Sequence, residues 1–378
     1  MTGNELLRAF EEERDSTVEL LRKLVEMESP TTEKALVDEL GSFLAGHVRD
    51  CGLEPRIIPR EDVGDIVWTE WGEGSEGRIL VLCHLDTVWP RGSLERMPFR
   101  IEDGRIHGPG IFDMKAGVTA TLKIQEIISR GWIRPRRKVR FLYTTDEETG
   151  SDASVELIEE FSRESDLVLV TEPPLPGGVL KTFRKGAGMA AMKIHGRSAH
   201  AGVEPERGVN AVRELAHQIE AIHGLASSSL ETSVHVTMAE GGTRDNVIPE
   251  FAKATIDFRF RTVEEGHRVE DGLHALQPRH PEIRLEVTGG INRPPMIKGE
   301  GGQQLFDRAR EVGTGLGLDL QEGETGGGSD GSFSAALGVP TLDGLGVNGD
   351  GAHALHEHIE LDALPVRAAL LARLVEKL

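Results

Sequence analysis

Hydrophobic residues along this chain recur in two kinds of run. Some stretches repeat their apolar residues at helical spacing, as in residues 3–27, 33–51 and 115–130. Others are short and almost uninterrupted, which is typical of strands buried on both faces of a parallel sheet. These runs are ILVLCH (79–84), VRFLYTT (139–145) and DLVLVTE (166–172). The alternation of the two kinds predicts an α/β fold in which helices sandwich a mostly parallel sheet.

The order of the predicted elements changes near residue 186. From there the chain reads strand, helix, strand, strand, helix, strand, which is the order of a ferredoxin-like α+β sandwich. The strands are 189–196, 233–242, 251–261 and 283–290, and the helices are 204–224 and 263–277. A helix (302–313), a strand (340–346) and a closing helix (361–377) then restore the first pattern. We therefore predict a discontinuous first domain, residues 1–185 and 296–378, with residues 186–295 inserted as a second domain.

Composition narrows the classes of partner. The 378 residues include 43 basic and 63 acidic side chains, for a net charge of −20. A chain this acidic is not expected to bind nucleic acid or an anionic membrane through its overall charge. Its two cysteines, Cys51 and Cys83, are too few for a disulfide framework or a cysteine-rich zinc site. The N-terminal segment lacks the features of a signal peptide, and no segment approaches the roughly 20 apolar residues of a membrane span, so we expect a cytoplasmic protein.

Polar side chains that could carry chemistry follow the predicted strands of the first domain. Catalytic groups of α/β sheets gather at the carboxyl ends of the strands. Similar residues stand in the glycine-flanked turn GPGIFDMKAG (108–117) and in GAHALHEHIEL (351–361). The candidates are His84, Asp86, Asp113, Asp146, Glu147, Glu148, Glu172, His353, His356 and His358. If the strands are parallel, these groups converge at one edge of the sheet.

Taken singly, each candidate has an ordinary structural explanation. A histidine after a strand is usually structural, an aspartate before a helix is often its cap, and a pair of glutamates is usually solvated surface. Their convergence changes the picture, because several carboxylates in one crevice repel one another unless they are protonated or bind cations. Histidine with aspartate and glutamate, and no cysteine, suits zinc or a similar divalent metal.

The number of candidate ligands favours two cations over one. A catalytic zinc takes about three protein ligands, whereas a shared carboxylate can bridge two ions roughly 3.5–4 Å apart. Glu147 and Glu148 are neighbours, so one can bind a metal while the other acts as general base. Asp86 lies two residues beyond His84 and hence on the same face of an extended chain, where its carboxylate can orient the imidazole. The five plausible ligands are His84, Asp113, Glu148, Glu172 and His353.

Seven motifs, in order along nearly the whole chain, resemble a known enzyme family. They are CHLDTV, GPGIFDMKAG, DEETGS, TEP, GRSAHAG, GGTRDNVIP and GGGSD. The family is that of the di-zinc exopeptidases acetylornithine deacetylase, succinyl-diaminopimelate desuccinylase and carboxypeptidase G (glutamate carboxypeptidase). The segments 196–211 and 325–346 resemble the carboxypeptidase G branch most. The resemblance implies a zinc-exopeptidase-like fold, in which the inserted ferredoxin-like domain is a lid and joins two chains into a homodimer.

The resemblance also implies roles for individual residues. One zinc is held by His84, Asp113 and Glu172, and the other by Asp113, Glu148 and His353, with Co²⁺ or Mn²⁺ as possible substitutes. Glu147 is the general base, Asp86 orients His84, and the peptide bond after Asp113 is often cis. Among the three C-terminal histidines the family pattern selects His353, because a glutamate, Glu357, follows it by four positions.

Residues of the inserted domain match positions that contact the substrate. His200 in GRSAHAG matches a histidine that stabilises the oxyanion, often across the dimer into the partner's active site. Asn246 and Arg259 match positions that hold the substrate's terminal carboxylate, and Arg293 is a further candidate at the hinge. The loop containing Gly327 could be read as a phosphate cradle, but it lacks the lysine of a P-loop, and we interpret it as lining the substrate site.

These observations predict a hydrolase that cleaves an amide bond next to a C-terminal, carboxylate-bearing amino acid, in small peptides or N-acyl amino acids. A deacylase of N-acyl amino acids and a dipeptidase remain open, because the metal site is common to all of them. A binding protein on the same scaffold is a remote alternative, since the full ligand set and Glu147 are present. A dinucleotide-dependent oxidoreductase is excluded because GPGIFD lacks the G-x-G-x-x-G spacing.

Overall fold

The computed structural model describes residues 1–72 and 76–378. The chain divides into two compact units, which are Met1–Phe183 with Met296–Glu324 and Ser329–Leu378, and Arg184–Pro295 with Thr325–Gly328. Residues Thr325–Gly328 fall within the predicted first domain, yet they group with the second unit. The reason is hydrogen bonding, because the Arg184 guanidinium donates to the carbonyls of Gly327 (3.2 Å) and Gly328 (2.6 Å).

The helices and strands, in chain order, are as follows. Up to Arg184 the helices are α1 (Gly3–Glu12), α2 (Arg14–Glu26), α3 (Lys34–Asp50), α4 (Ala116–Ser129) and α5 (Val155–Arg163). The strands there are β1 (Arg56–Ile58), β2 (Ile66–Trp71), β3 (Arg78–His84), β4 (Arg100–Glu102), β5 (Arg105–His107), β6 (Lys138–Thr144), β7 (Leu167–Val170) and β8 (Leu180–Arg184). Up to Arg293 the elements are β9 (Gly186–His195), β10 (Ala199–His200), α6 (Ala211–His223), β11 (Ser233–Gly241), β12 (Val247–Ile248), β13 (Phe251–Phe260), α7 (Val263–His274) and β14 (Arg284–Arg293). The remainder forms α8 (Glu300–Thr314), β15 (Glu322–Thr325), α9 (Gly331–Ala336), β16 (Thr341–Leu342), β17 (Gly349–Asp350), β18 (His358–Glu360) and α10 (Ala363–Lys377).

Several predicted elements differ in extent from the observed ones. The predicted helix 3–27 is broken at Glu13, whose backbone leaves the helical region between α1 and α2. The predicted helix 204–224 begins only at Ala211, because the Asn210 side chain caps it by accepting the Arg213 N–H at 2.9 Å. The predicted strand 340–346 shrinks to the two residues of β16.

A six-stranded sheet forms the centre of the first unit, in the order β1-β2-β6-β3-β7-β16. The four strands β6, β3, β7 and β16 are parallel, and β2 pairs antiparallel with both β6 and the edge strand β1. The uninterrupted apolar run of β3 follows from burial on both faces. Ile79, Val81 and Cys83 pack in one hydrophobic cluster, while Leu80 and Leu82 pack in another. The predicted α/β fold with a mostly parallel sheet is confirmed.

A smaller antiparallel sheet of the first unit, in the order β17-β18-β5-β4, carries the C-terminal histidines. Residues 351–357 connect β17 to β18, and His353 lies in this connection. Ile106 of β5 and Ile359 of β18 pack with Val25 of α2, which fixes the connection against the body of the unit.

The second unit is built on a four-stranded antiparallel sheet, in the order β11-β13-β9-β14. The four strands of this sheet and the helices α6 and α7 follow the predicted strand-helix-strand-strand-helix-strand order, and the short strands β10 and β12 form a separate pair. Alternate residues of the strands, including Ile194, Ile256 and Phe258, pack with residues of α6 and α7 in one core. Within residues 1–72 and 76–378, no helix is both long and apolar enough to cross a membrane.

Candidate metal centre

Three neighbouring strands deliver polar residues to one edge of the central sheet. His84 is the last residue of β3, and Glu172 stands two residues beyond the end of β7. The turn Glu147–Thr149 follows β6. Because β3 lies between β6 and β7 with parallel pairing on both sides, the carboxyl ends of all three strands are adjacent.

Asp113 reaches this edge from the turn Ile111–Lys115, directly before α4. The bond between Asp113 and Met114 is cis, as the family resemblance implied. The Met114 sulfur accepts the backbone N–H of His84 at 3.3 Å, which ties the turn to the end of β3.

Five side chains form two groups that share one carboxylate. In the first group, His84 Nε2 lies 3.2 Å from Asp113 Oδ1 and 3.5 Å from Glu172 Oε1. In the second, His353 Nε2 lies 3.6 Å from Asp113 Oδ2 and 3.3 Å from Glu148 Oε2. Within each group the candidate ligand atoms all lie within 4.8 Å of one another. The structure thus brings together all five sequence-predicted ligands, with the two oxygens of Asp113 facing different groups.

The electrostatics of the two groups suit divalent cations. Burial acts to raise the pKa of Asp113, but hydrogen bonds with His353 and His84 outweigh it and hold that pKa well below its usual range. Burial raises the pKa of Glu148. Glu148 Oε1 is buried and has no hydrogen-bond partner among the described residues, which is costly for a carboxylate oxygen unless a cation binds it. A donor set of imidazoles and carboxylates fits zinc or a similar ion.

Asp86 is fully buried beside these groups, and it makes further contacts besides the predicted one with His84. His84 Nδ1 lies 2.9 Å from the backbone carbonyl of Asp86 and 3.4 Å from its carboxylate. The ring is therefore oriented mainly by the main chain. The carboxylate also accepts hydrogen bonds from the Thr31 hydroxyl (2.7 Å) and from the backbone N–H groups of Glu148 (3.1 Å) and Glu147 (3.3 Å). It thus holds the turn that carries the two glutamates.

Glu357 is a positioning residue whose part the sequence analysis missed. Its buried carboxylate accepts the Trp89 indole N–H (2.6 Å) and the backbone N–H groups of Gly110 (2.9 Å), Phe112 (2.9 Å) and Asp113 (3.1 Å). Since Glu357 follows His353 by four residues, these bonds tie the His353 connection to the Asp113 turn. The only sequence signal was its spacing from His353.

His356 and His358 lie outside both groups. His358 Nδ1 contacts the His356 carbonyl at 2.9 Å, and its ring packs against the ring of His107. Among the three C-terminal histidines, His353 alone faces the carboxylate cluster.

The predicted substrate-binding residues lie in the second unit. His200 of β10 pairs with Val247 of β12, so it stands next to Asn246, whose carbonyl accepts the Ala201 N–H at 2.9 Å. The hairpin thereby brings His200 and Asn246 together. The His200 ring accepts the Gly202 N–H at Nδ1 (3.1 Å).

Arg259 and Arg293 are bonded to neighbours on their own strands, and Gly327 is bonded to a residue remote in sequence. Asp257 binds Arg259 through two bonds, to Nε (3.0 Å) and Nη2 (2.7 Å), because residues two apart on β13 share a face. Arg293, at the end of β14, is 8% exposed and donates to the Asn292 side chain at 3.3 Å. Gly327 lies in the loop that Arg184 holds.

Comparison with known proteins agrees with this geometry. A family model described as Peptidase family M20/M25/M40 matches residues 80–377. The chain is 32% identical over 386 residues to carboxypeptidase G2 of Pseudomonas sp. (strain RS-16), an alignment covering 98% of this chain and 91% of that protein. It is 28% identical over 389 residues to succinyl-diaminopimelate desuccinylase of Dechloromonas aromatica (strain RCB), covering 96% and 99% of the two chains.

A solved structure gives the same fold. It is the M20 family metallo-carboxypeptidase Sso-CP2 from Sulfolobus solfataricus, which superposes with a TM-score of 0.75 at 15% identity and covers 95% of this chain and 98% of its own. The resemblance predicted from the motifs is confirmed, as is its closeness to the carboxypeptidase G branch. The chain belongs to peptidase family M20/M25/M40 and is a hydrolytic metalloenzyme.

Proposed function

We propose that the protein is a two-zinc carboxypeptidase that cleaves the amide bond before a C-terminal, carboxylate-bearing amino acid, with glutamate as the preferred residue. The observation that carries this proposal is the pair of ligand groups joined by Asp113. The 32% identity to carboxypeptidase G2 supports the choice of substrate class.

His84, Asp113 and Glu172 would hold one cation, and Asp113, Glu148 and His353 the other. When bound, the two cations supply an activated water at neutral pH and polarise the scissile carbonyl. Glu148 Oε1 has no hydrogen-bond partner within residues 1–72 and 76–378, and this supports the assignment, because the oxygen is then available to a cation. Co²⁺ and Mn²⁺ would suit the same donor set.

Glu147 acts as the general base in this proposal. It removes a proton from the attacking water and passes it to the leaving amine nitrogen. Its place beside Glu148 in the turn Glu147–Thr149 supports the role, because the turn puts a base next to a ligand. Asp86 maintains that arrangement, because its carboxylate accepts hydrogen bonds from the backbone N–H groups of Glu147 and Glu148.

His200 stabilises the oxyanion, and its hydrogen bonding supports this assignment. Because Nδ1 accepts the Gly202 N–H, the neutral ring carries its proton on Nε2, which is then free to donate to a substrate oxygen. We propose that residues 186–295 form a lid and dimerisation domain, so that His200 acts in its own chain or across a homodimer.

Arg259 and Asn246 hold the substrate's terminal carboxylate, and Arg293 and Gly327 line the same site. The pairing of Asp257 with Nε and Nη2 of Arg259 leaves Nη1 to donate to a substrate carboxylate. A guanidinium fixed in this way loses less side-chain entropy when it binds an anion.

An N-acyl-amino-acid deacylase is the second candidate, and a dipeptidase shares the same chemistry. The identity of 28% to succinyl-diaminopimelate desuccinylase favours the deacylase, because that relative matches this chain over nearly its full length. The candidates differ in the group on each side of the amide bond and not in the metal ligands.

A substrate panel with matched variants tests the proposal. Apo protein reconstituted with Zn²⁺, Co²⁺ or Mn²⁺ is assayed on N-acyl and peptidyl forms of Glu, Asp, Ala and Leu. We expect the highest kcat/KM for C-terminal glutamate, and loss of activity after chelation. Efficient cleavage of simple acetyl amino acids would select the deacylase instead.

The role of Glu147 is tested separately. Glu147→Gln should lower kcat by a factor of about 10³, within the range for loss of a general base, while mass spectrometry of metals still finds two ions per chain. Retained activity in this variant would remove Glu147 from the mechanism.

A further inference from the structure

A buried carboxylate from a segment remote in sequence accepts hydrogen bonds from residues before and after the turn that carries Glu147 and Glu148. Asp330, which is 3% exposed, accepts the hydroxyl of Thr144 at 3.0 Å and the hydroxyl of Ser151. Thr144 is the last residue of β6, and Ser151 closes the turn. The two glutamates therefore lie in the segment 144–151, called the arch below. Both of its end residues are bonded to one side chain from a segment about 180 residues further along the chain.

The backbone of the arch is unusual at Ser151. This fully buried residue has φ = 64°, in the left-handed region that residues with a Cβ rarely adopt. Such a conformation persists when the surroundings fix it. Here the Ser151 N–H donates to the Asp146 carbonyl at 2.9 Å, and its hydroxyl donates to Asp330.

Two other carboxylates hold the arch from closer positions. Asp86 accepts the N–H groups of Glu147 and Glu148. The side chain of Asp146 accepts the Ala153 N–H at 2.7 Å and the Ser154 hydroxyl. Of these three carboxylates, only Asp330 is bonded to both Thr144 and Ser151, the two ends of the arch. It therefore determines the distance between the two ends and with it the position of Glu147.

We propose that Asp330 is a positioning residue that holds Glu147 and Glu148 in the geometry needed for proton transfer. The inference rests on the proposed role of Glu147 as general base. It assigns a task to the aspartate of GGGSD, a motif that the sequence analysis connected only with the substrate loop.

The test compares three variants of the metal-loaded enzyme. Thr144 and Ser151 bond to Asp330 through hydroxyls, which can donate or accept, so Asp330→Asn can keep one of these bonds to its oxygen and donate the other from its amide. We expect Asp330→Ala to lower kcat about 100-fold with little change in KM, as for a catalytic group displaced by about 1 Å. Asp330→Asn should restore kcat to within about 10-fold of the native value.

Ser332→Ala is the matched control. Ser332 is buried on α9, two residues from Asp330, and its hydroxyl has no hydrogen-bond partner in the described part of the chain. This variant should retain native kcat. Native kcat in Asp330→Ala, or an equal loss in Ser332→Ala, would overturn the inference.

Ser151→Gly tests the same bond in a variant that is expected to fold. Glycine adopts φ = 64° without strain, so the substitution removes the hydroxyl while it favours the backbone conformation. We expect kcat to fall while the variant still folds and binds two metal ions. Unchanged kcat here contradicts the inference even if Asp330→Ala fails to fold. An active Glu147→Gln enzyme would instead refute the proposed function, so the two failures are distinguishable.

Discussion

Replacing Asp86 by asparagine separates its hydrogen-bonding role from its size. Oδ2 accepts the Thr31 hydroxyl (2.7 Å) and the Glu148 N–H (3.1 Å), and Oδ1 accepts the Glu147 N–H (3.3 Å). The side-chain oxygen of the asparagine can keep the bonds from the Thr31 hydroxyl and the Glu148 N–H. The asparagine NH2 group then faces the Glu147 N–H, and two donors cannot form a hydrogen bond. A hydrogen bond to a charged group contributes about 1.5–3 kcal/mol, and an orphaned buried donor costs about 1–3 kcal/mol. We expect Asp86→Asn, through both effects together, to lower the free energy of unfolding by about 2.5–6 kcal/mol.

The assay is urea unfolding followed by tryptophan fluorescence. All four tryptophans, which are Trp68, Trp71, Trp89 and Trp132, belong to the first unit, so the signal reports the unit that contains Asp86. Initial rates at saturating substrate give kcat in parallel. Because Oδ1 contacts both the Glu147 backbone N–H and the His84 ring (3.4 Å), kcat should also fall, by about 100-fold if the turn shifts by about 1 Å.

Thr31→Val is the matched control. It removes one bond to Asp86, contributing about 1.5–3 kcal/mol, and leaves both turn N–H groups bonded. Its kcat should stay near the native value. If Asp86→Asn has native stability and native kcat, or if Thr31→Val reduces kcat as much, then the carboxylate does not hold the turn.

Two further predictions concern pH and substrate binding. Burial raises the pKa of Glu126, but contacts with His47 and Lys123 outweigh it and lower that pKa from 4.5 to about 2. A carboxyl with a lowered pKa in the folded state stabilises the protein at pH values above its unfolded-state pKa. This stabilisation is lost as the pH falls toward the folded-state pKa of about 2. Glu126→Gln should therefore lower the free energy of unfolding, measured by urea unfolding, by about 3 kcal/mol at pH 7 and by about half as much at pH 3. An equal loss at both pH values would contradict the assignment. Arg259→Ala should raise KM for C-terminal glutamate by about 10–100-fold with a smaller effect on kcat, whereas the exposed Arg213→Ala on α6 should leave both unchanged; a native KM in the first variant would remove Arg259 from substrate binding.

The central strands were predictable because their pattern is local. The apolar run of β3 requires burial on two faces, and Ile79 and Leu80 do pack in different clusters. A parallel sheet then places His84 and Glu172 at one edge, whatever the loops do. The five candidate ligands could therefore be named from the order of strands and from the motif resemblance, before any distance was known.

Strand pairing at the sheet edge carried less signal. β2, between the predicted helix 33–51 and β3, is buried at Ile66, Val67 and Thr69 and partly buried elsewhere; it was not predicted, and neither was its antiparallel pairing with β6. The loop Thr325–Gly328 was placed in the first domain, because its grouping with the second unit depends on bonds from Arg184, which is remote in sequence.

The sequence by itself determined the α/β class, the central parallel strands, the ligand set and the family of this protein, since periodicity and motifs are properties of neighbouring residues. Only the tertiary structure decided which groups support those ligands. The carboxylate of Asp86 serves the Glu147 turn more than His84, Glu357 binds backbone groups more than 240 residues earlier in the chain, and Asp330 reaches Thr144 and Ser151. These contacts join buried polar groups at long sequence separation, and the requirement that each be paired is met by three-dimensional proximity, which leaves no periodic trace in the sequence.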